Sequence, residues 1–258
     1  MVIPVIPASG TWQTHTSGKS TDFFRLPSSL PPAHAAVCRV NPATALLMLT
    51  DFVKLRPNDV MIQNGATSAV GIYGIQMAKH LGVKTINLFR PRSSPEATEA
   101  TRQVLLDYGA TWALTEAEFA DSTNPMTKDA KSAGQVQLGL NCLGGRPTLT
   151  IMKVLADGGT LVSYGAMTRS PMPIPVFPLI FHDIRLRGFW VTGWLQRASS
   201  DETTRLFTQI AEWFSQGILR PSPFLEVPFS DWKKAISLTA FSDSGPSGIT
   251  KKIILNME

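Results

Sequence analysis

The sequence predicts an α/β fold built on a doubly wound parallel sheet, and three observations carry that prediction. The first is a strand–turn–helix–strand pattern over 60–92, VMIQNGATSAVGIYGIQMAKHLGVKTINLFRPR. The second is the alternation of strand-length apolar runs with helical patterns as far as Tyr164, which implies a parallel sheet covered on both faces. The third is the run of small residues between the first strand and its helix, where backbone can come close to a phosphate group.

Each element has its own signal. Val60-Met61-Ile62-Gln63-Asn64 is an apolar run of strand length, followed by the small residues Gly65 to Gly71. Val70, Ile72, Ile75, Ala78 and Leu81 hold helical spacing up to Gly82, and Thr85 to Phe89 read as the second strand. In the dinucleotide fingerprint G-x-G-x-x-G, the last glycine falls on Gly71, but Ala66 and Ser68 hold the first two places. Spacing and context, not the glycines, therefore mark this βαβ unit as dinucleotide-binding. An NAD site usually has a carboxylate about 20 residues after the glycine turn, bound to the ribose hydroxyls. Arg90 and Arg92 stand there instead. Guanidinium forks bind a 2′-phosphate through charge-assisted bonds, so NADPH is the expected cofactor. The alternative is a pair of solvated surface arginines.

Further along, Pro95 to Tyr108 reads as a helix stopped by Gly109, and Thr111 to Leu114 as a short strand. Thr115 to Phe119 resembles a helix start, and Asp121 to Gln135 reads as loop with weak helix. Val136 to Asn141 is a buried strand ended by Gly144-Gly145. Thr148 to Leu155 is a helix capped by Gly158-Gly159, and Thr160 to Tyr164 is the next strand. The bridge Pro171 to Pro178 is too rigid and donor-poor for a central strand or helix. Ile184 to Val191 suits an exposed outer strand of the same sheet, Asp201 to Gln216 an amphipathic helix, Ser230 to Ala240 a helix, and Lys251 to Leu255 a strand.

The composition excludes several classes. A chain of 258 residues that is 43% hydrophobic can bury a full core. Its net charge of +5 suits phosphorylated cofactors, CoA or an acidic carrier protein, but no basic block interleaved with aromatics points to nucleic acid. Cys38 and Cys142 lack disulfide or zinc spacing, and His15, His34, His80 and His182 are scattered, so no metal site is expected. No apolar stretch would span a membrane. Residues 1–20 show neither a signal h-region nor a transit-peptide pattern. The opening Val2-Ile3-Pro4-Val5-Ile6-Pro7 is apolar from the second residue and reads like the middle of a domain.

These residues and several further motifs resemble the enoyl thioester reductases (trans-2-enoyl-CoA or enoyl-[acyl-carrier-protein] reductases) of the medium-chain dehydrogenase/reductase superfamily. The motifs are Gly10-Thr11-Trp12, Val40-Asn41-Pro42-Ala43-Thr44-Ala45, Leu140-Asn141-Cys142, Tyr164-Gly165-Ala166-Met167 and Leu186-Arg187-Gly188-Phe189-Trp190. The resemblance implies a Rossmann sheet with remnants of a GroES-like catalytic domain: a remnant over 1–36, the dinucleotide-binding domain over 37–216, and the C-terminal part of the catalytic lobe over 217–258. It also implies an oxidoreductase of lipid metabolism: NADPH-dependent reduction of enoyl-CoA or enoyl-acyl-carrier-protein thioesters in mitochondrial fatty acid biosynthesis, by a homodimer. Without a transit-peptide pattern, a cytoplasmic location is the other expectation for this form.

Carried over residue by residue, the resemblance puts NADPH contacts on Asn41, on Thr67, Ser68, Ala69 and Val70, and on Arg90, Pro91 and Arg92. Further contacts fall on Tyr164, Gly165, Ala166 and Met167, on Phe189, Trp190 and Val191, and on Lys251. For Phe189 and Trp190, packing in the core or at a dimer contact is an equal alternative. Ala69 and Ala166 replace glycines, which requires ordinary φ at both positions or a slight displacement of the cofactor. Pro91 stands where relatives have an acidic residue. The family's proton-donating tyrosine belongs to the catalytic lobe, and none of Tyr73, Tyr108 and Tyr164 matches it, so no catalytic residue is expected in this chain. A non-catalytic NADPH-binding subunit or interaction protein is the competing reading.

Overall fold

A computed structural model of the chain describes residues 1–5, 10, 13–28, 30–240, 249 and 251–257. Thr11-Trp12 and Ile6-Pro7, parts of two N-terminal patterns above, lie outside the described residues. The chain opens with β1 (Val2–Pro4), β2 (Phe23–Arg25), α1 (Pro32–Cys38) and α2 (Asn41–Thr50). The expected βαβ unit follows as β3 (Val60–Gln63), α3 (Ala69–His80) and β4 (Lys84–Phe89). Next come α4 (Pro95–Asp107), β5 (Trp112–Thr115), α5 (Glu116–Ala120), α6 (Pro125–Ser132), β6 (Val136–Asn141), α7 (Pro147–Met152) and β7 (Leu155–Ser163). The remainder is α8 (Val176–Phe181), β8 (Arg185–Gly188), α9 (Val191–Arg197), α10 (Ser200–Ser215), β9 (Phe224–Pro228), α11 (Trp232–Ala240) and β10 (Lys252–Asn256).

The chain divides into two compact units. One is Ala45–Phe189 together with Ile249, and it holds a six-stranded sheet in the order β5-β4-β3-β6-β7-β8. Every neighbouring pair in that sheet is parallel. All four residues of β3 are buried, as a central parallel strand covered on both faces requires. Val60, Ile62, Ile86, Leu88, Trp112, Leu114, Leu161 and Ile184 join one apolar cluster; Ile75, Phe89, Leu105 and Ala113 join another. The strand order reverses between β3 and β6, which creates the crevice at the carboxyl ends where doubly wound sheets bind ligands.

Three local differences from the sequence reading have physical reasons. The helix expected over 148–155 stops at Met152, and β7 begins at Leu155. Strand β7 pairs Leu155 with Val136 and then Thr160 with Leu138, so 156–159 bulge outward, with Gly158 at φ +73. The proline-rich bridge does contain a helix. Pro175 is its extended N-cap and Pro178 lies in its first turn, where the missing N–H has no carbonyl to serve. The outer strand is Arg185–Gly188, but its exposed residues are mostly charged or small, and Leu186 packs against the core cluster. The exposed apolar surface lies instead on α8.

The other unit takes in the remaining described residues, among them 190–216, which the sequence reading had grouped with the dinucleotide-binding part. It contains an antiparallel pair, β1 with β2, and a parallel pair, β9 with β10. Helix α10 starts with a capping box, Ser199 Oγ accepting from the Glu202 N–H at 3.2 Å and Glu202 accepting from the Ser199 N–H at 2.8 Å. It buries Leu206, Phe207, Ile210, Ala211 and Phe214 on one face, and Phe24 packs on Phe207 with ring centroids 5.4 Å apart. Among the described residues no helix is long and apolar enough to cross a membrane.

Candidate functional site: the carboxyl ends of the parallel strands

The turn after β3 is tied to both neighbouring strands. Asn64 donates its N–H to Leu140 O of β6 at 3.1 Å, and Ala66 donates its N–H to Leu88 O of β4 at 3.2 Å. Gly65 sits at φ +62, so the left-handed residue precedes the first position of the expected fingerprint by one place. A Cβ on Gly65 would also run into Cys142 Sγ. Ser68 is the N-cap of α3, and its Oγ accepts from the Gly71 N–H at 3.1 Å. Gly71 is needed for close approach: a Cβ there would lie 2.6 Å from Ala66 O. Ala69 and Ala166 are not among the residues with positive φ, so replacing glycine costs no backbone strain at either place. The result is an uninterrupted small-residue cradle, Thr67 to Val70, under a helix start whose first N–H groups have no i−4 carbonyl partner.

Arg90, Pro91 and Arg92 directly follow β4, the strand beside the turn. Arg92 is half-buried and is held by bonds to α4 and to the turn. Its N–H donates to Thr98 Oγ1 at 2.9 Å, its Nε to Thr101 Oγ1 at 3.3 Å, and its Nη2 to Thr67 Oγ1 at 3.4 Å. Burial, and then the neighbouring Arg90, lower the pKa of its guanidinium. Partial desolvation and the added positive charge of Arg90 make this edge of the phosphate turn favourable to an anion.

The loop after β7 lies along the end of β6. Tyr164, Met167 and Thr168 donate their N–H groups to the carbonyls of Asn141, Cys142 and Leu143 at 3.0, 3.1 and 2.9 Å. Gly165 permits this, since a Cβ there would meet Cys142 O at 2.8 Å. Ala166 and Met167 face solvent. The Tyr164 hydroxyl is buried without a well-formed hydrogen bond, with Cys142 and Ser68 as the polar groups beside it. Burial, reinforced by Cys142, pushes its phenol well above the usual range, and burial pushes the Cys142 thiol up as well. Beneath them, Asn64 and Asn141 lock the strand ends together. Asn64 Nδ2 donates to Asn141 Oδ1 at 2.8 Å, and Asn64 Oδ1 accepts from the Cys142 N–H at 2.9 Å. This amide pair was not singled out as functional in the sequence; its signal was two asparagines, each at the end of an apolar run.

Phe189 closes this unit, its N–H bonded to Ser163 O at 3.0 Å and its ring edge-on to Phe52 at 5.8 Å. The remaining expected contacts belong to the other unit. There Asn41 begins α2, half-buried, and with Arg39 and Lys252 it lines a cavity of about 660 Å³. Trp190 is 65% exposed, Val191 is buried, and Lys251 is exposed just before β10. The residues brought together at the sheet are therefore Thr67 to Val70, Arg90 to Arg92, and Tyr164 to Met167.

The cradle that Gly71 keeps open and the twin guanidiniums beside it suit a dinucleotide carrying an extra phosphate. Among the described residues, no three His, Cys, Asp or Glu side chains come together in a way that could hold a metal ion.

Residues 69–211 match the family described as zinc-binding dehydrogenase. Over 260 aligned residues the chain is 38% identical to the mitochondrial enoyl-[acyl-carrier-protein] reductase of Xenopus tropicalis, covering 99% of this chain and 71% of that protein. With the Rattus norvegicus enzyme the identity is 39%, covering 91% of this chain and 62% of the rat protein. The chain thus spans roughly two thirds of the length of these relatives. The fold is similar to the Etr1p complex with NADP and crotonyl-CoA, with a TM-score of 0.85 and 32% identity over 93% of this chain and 71% of that one. It is likewise similar to the mitochondrial 2-enoyl thioester reductase Etr1p/Etr2p heterodimer from Candida tropicalis, at TM-score 0.83 and 32% identity, with the same coverage. The chain belongs to the enoyl-[acyl-carrier-protein] reductase family of the medium-chain dehydrogenases and reductases.

Proposed function

We propose that this chain binds NADPH at the carboxyl ends of β3, β4, β6 and β7, in the service of reducing a 2-enoyl thioester to its acyl thioester. One observation carries the cofactor preference. Arg92 is held on the rim of the phosphate turn by Thr67 and Thr101, with a second guanidinium, Arg90, close by. When bound, this cofactor supplies a hydride. The chain's own residues bind and orient it. Thr67 to Val70 and the start of α3 receive the pyrophosphate, Arg90 and Arg92 receive the 2′-phosphate, and Tyr164 to Met167 wall the nicotinamide half.

The substrate reading rests on family membership and on the Etr1p complex with crotonyl-CoA. The chain's basic balance suits CoA or acyl carrier protein as the thioester carrier. A mitochondrial role in fatty acid synthesis follows the relatives' names. Pairing of two copies is proposed at the β8 edge, where α8 exposes Val176, Phe177, Ile180 and Phe181 by 61–66%. The Etr1p/Etr2p assembly supports a two-chain form.

A specific observation favours a second reading, NADPH binding with little turnover. Reduction of an enoyl thioester needs a proton donor for the α-carbon, and no tyrosine here is placed to serve. Tyr73 is fully buried, Tyr108 packs against an apolar cluster, and the Tyr164 hydroxyl is buried. Fluorescence titration tests the cofactor assignment. The double substitution Arg90→Ala, Arg92→Ala should weaken NADPH much more than NADH; equal losses would refute it. Crotonyl-CoA-dependent oxidation of NADPH then separates the two readings.

A further inference from the structure

The first turns of α4 carry two threonines, one helical turn apart, that both receive Arg92. Thr98 Oγ1 accepts from the Arg92 N–H at 2.9 Å and donates to Ser94 O at 2.9 Å. Thr101 Oγ1 accepts from Arg92 Nε at 3.3 Å and donates to Ala97 O at 2.9 Å. Each hydroxyl therefore spends its one proton on the helix backbone and has only lone pairs left for Arg92. That polarity is fixed. It suits a cation and cannot serve a carboxylate. Thr101 is fully buried, so its hydroxyl meets Arg92 away from competing water. The third contact, from Nη2 to Thr67 Oγ1 at 3.4 Å, ties the same guanidinium to the phosphate turn.

We propose that Thr101, with Thr98, is a positioning residue for cofactor choice: it holds the Arg92 guanidinium at the rim of the phosphate turn, and the preference for a 2′-phosphorylated dinucleotide depends on it. The inference rests on the reading of Arg92 as a 2′-phosphate ligand. Thr98 sets where the backbone of Arg92 leaves β4, and Thr101 sets the direction of its side chain. Thr101 itself touches no phosphate. A long side chain without this support would sample many rotamers and lose much of its directional bonding to the anion.

The test is a pair of Thr101 variants titrated with NADPH and NADH. Thr101→Val keeps the shape and removes the acceptor, and Thr101→Ser keeps the acceptor. Thr101→Val should weaken NADPH about tenfold, on the scale of one hydrogen bond from a charged group, and leave NADH unchanged. Thr101→Ser should restore the preference, which a purely structural role for Thr101 would not predict. Equal weakening of both cofactors by Thr101→Val, or an unchanged ratio, would overturn the proposal. If Thr101→Val does not fold, Arg92→Lys serves instead, because lysine keeps the charge but has no Nε–H for Thr101. It should lose most of the preference, and retention of the preference would overturn the proposal. Arg92→Ala separates the two levels of the argument. If it leaves the NADPH/NADH ratio unchanged, the reading of Arg92 fails. If it collapses the ratio while Thr101→Val does not, only the positioning role fails.

Discussion

Substituting Gly71 with alanine probes the phosphate turn directly. A Cβ at this position would stand 2.6 Å from Ala66 O and 2.8 Å from Ala66 C and Cα, and all three are backbone atoms that no rotamer change can move. Real Cβ contacts do not fall below 3.0 Å, so the start of α3 must retreat from the turn by at least 0.4 Å. Two bonds resist that movement: Ser68 Oγ accepts from the Gly71 N–H at 3.1 Å, and Gly71 O accepts from Gln63 Nε2 at 3.0 Å. Overpacking of this kind costs about 1–3 kcal/mol. Alanine recovers about 1 kcal/mol of helix propensity. The net stability loss is therefore about 2 kcal/mol at most, a fall in Tm of roughly 4–8 °C at about 2–4 °C per kcal/mol. Cofactor affinity should suffer more. Bonds from the helix start to a charged phosphate each contribute about 1.5–3 kcal/mol, so losing one weakens binding by about tenfold or more. The assay is a fluorescence titration with NADPH beside a thermal melt, with Gly188→Ala as control, since a Cβ there meets nothing within 4 Å. A Gly71→Ala chain that melts and binds NADPH like the wild type would refute the close-approach argument.

Three further outcomes follow from the same structure. Burial raises the pKa of both thiols, Cys38 to about 12 and Cys142 above its ordinary value, so both stay protonated and weakly nucleophilic at pH 8; a thiol-reactive dye should find no fast-reacting thiol in the native chain and both after denaturation, and a fast native thiol would contradict the burial of the cysteine that carries it. Ile180→Lys combined with Phe181→Lys should shift sedimentation from a two-chain species toward monomer without lowering Tm, because both side chains are about two-thirds exposed; a wild-type chain that is monomeric throughout would remove the assembly. With no tyrosine placed as the acid, as proposed above, oxidation of NADPH with crotonyl-CoA should be slower by about 10²–10⁴-fold, the usual contribution of a general acid; a fast rate would refute this, and its loss in Tyr164→Phe would make Tyr164 the donor.

The dinucleotide unit was legible in the sequence where periodicity was strong. Strands β3, β4 and β6 and helices α3, α4 and α10 fall within a residue or two of their expected places, because apolar runs, helical spacing and stops such as Gly82 and Gly109 are local signals. Helix α2 passed unnoticed because Ala43 to Leu49 is buried all round and leaves no polar face to mark a period. Helix α8 was hidden by prolines that turn out to occupy positions needing no N–H. The bulge at 156–159 depends on pairing between β6 and β7, which no window of sequence contains. At the site, a run of small residues between strand and helix identified the turn, but not that Gly65 carries the positive φ. Arg90 and Arg92 stood out by their distance from Gly71. Their support did not, since Thr98 and Thr101 look like ordinary positions on an amphipathic helix until β4 is folded beside them. The division into units was equally non-local: residues 190–216 group with the first 44 residues and not with the sheet that precedes them.

The most direct test of the central claim is a crystal structure of this chain grown with NADP. The account predicts the pyrophosphate over Thr67 to Val70 at the start of α3, the 2′-phosphate between Arg90 and Arg92, and the Arg92 Nε still bonded to Thr101. A dinucleotide bound elsewhere, or one whose 2′-phosphate points away from both arginines, would contradict it.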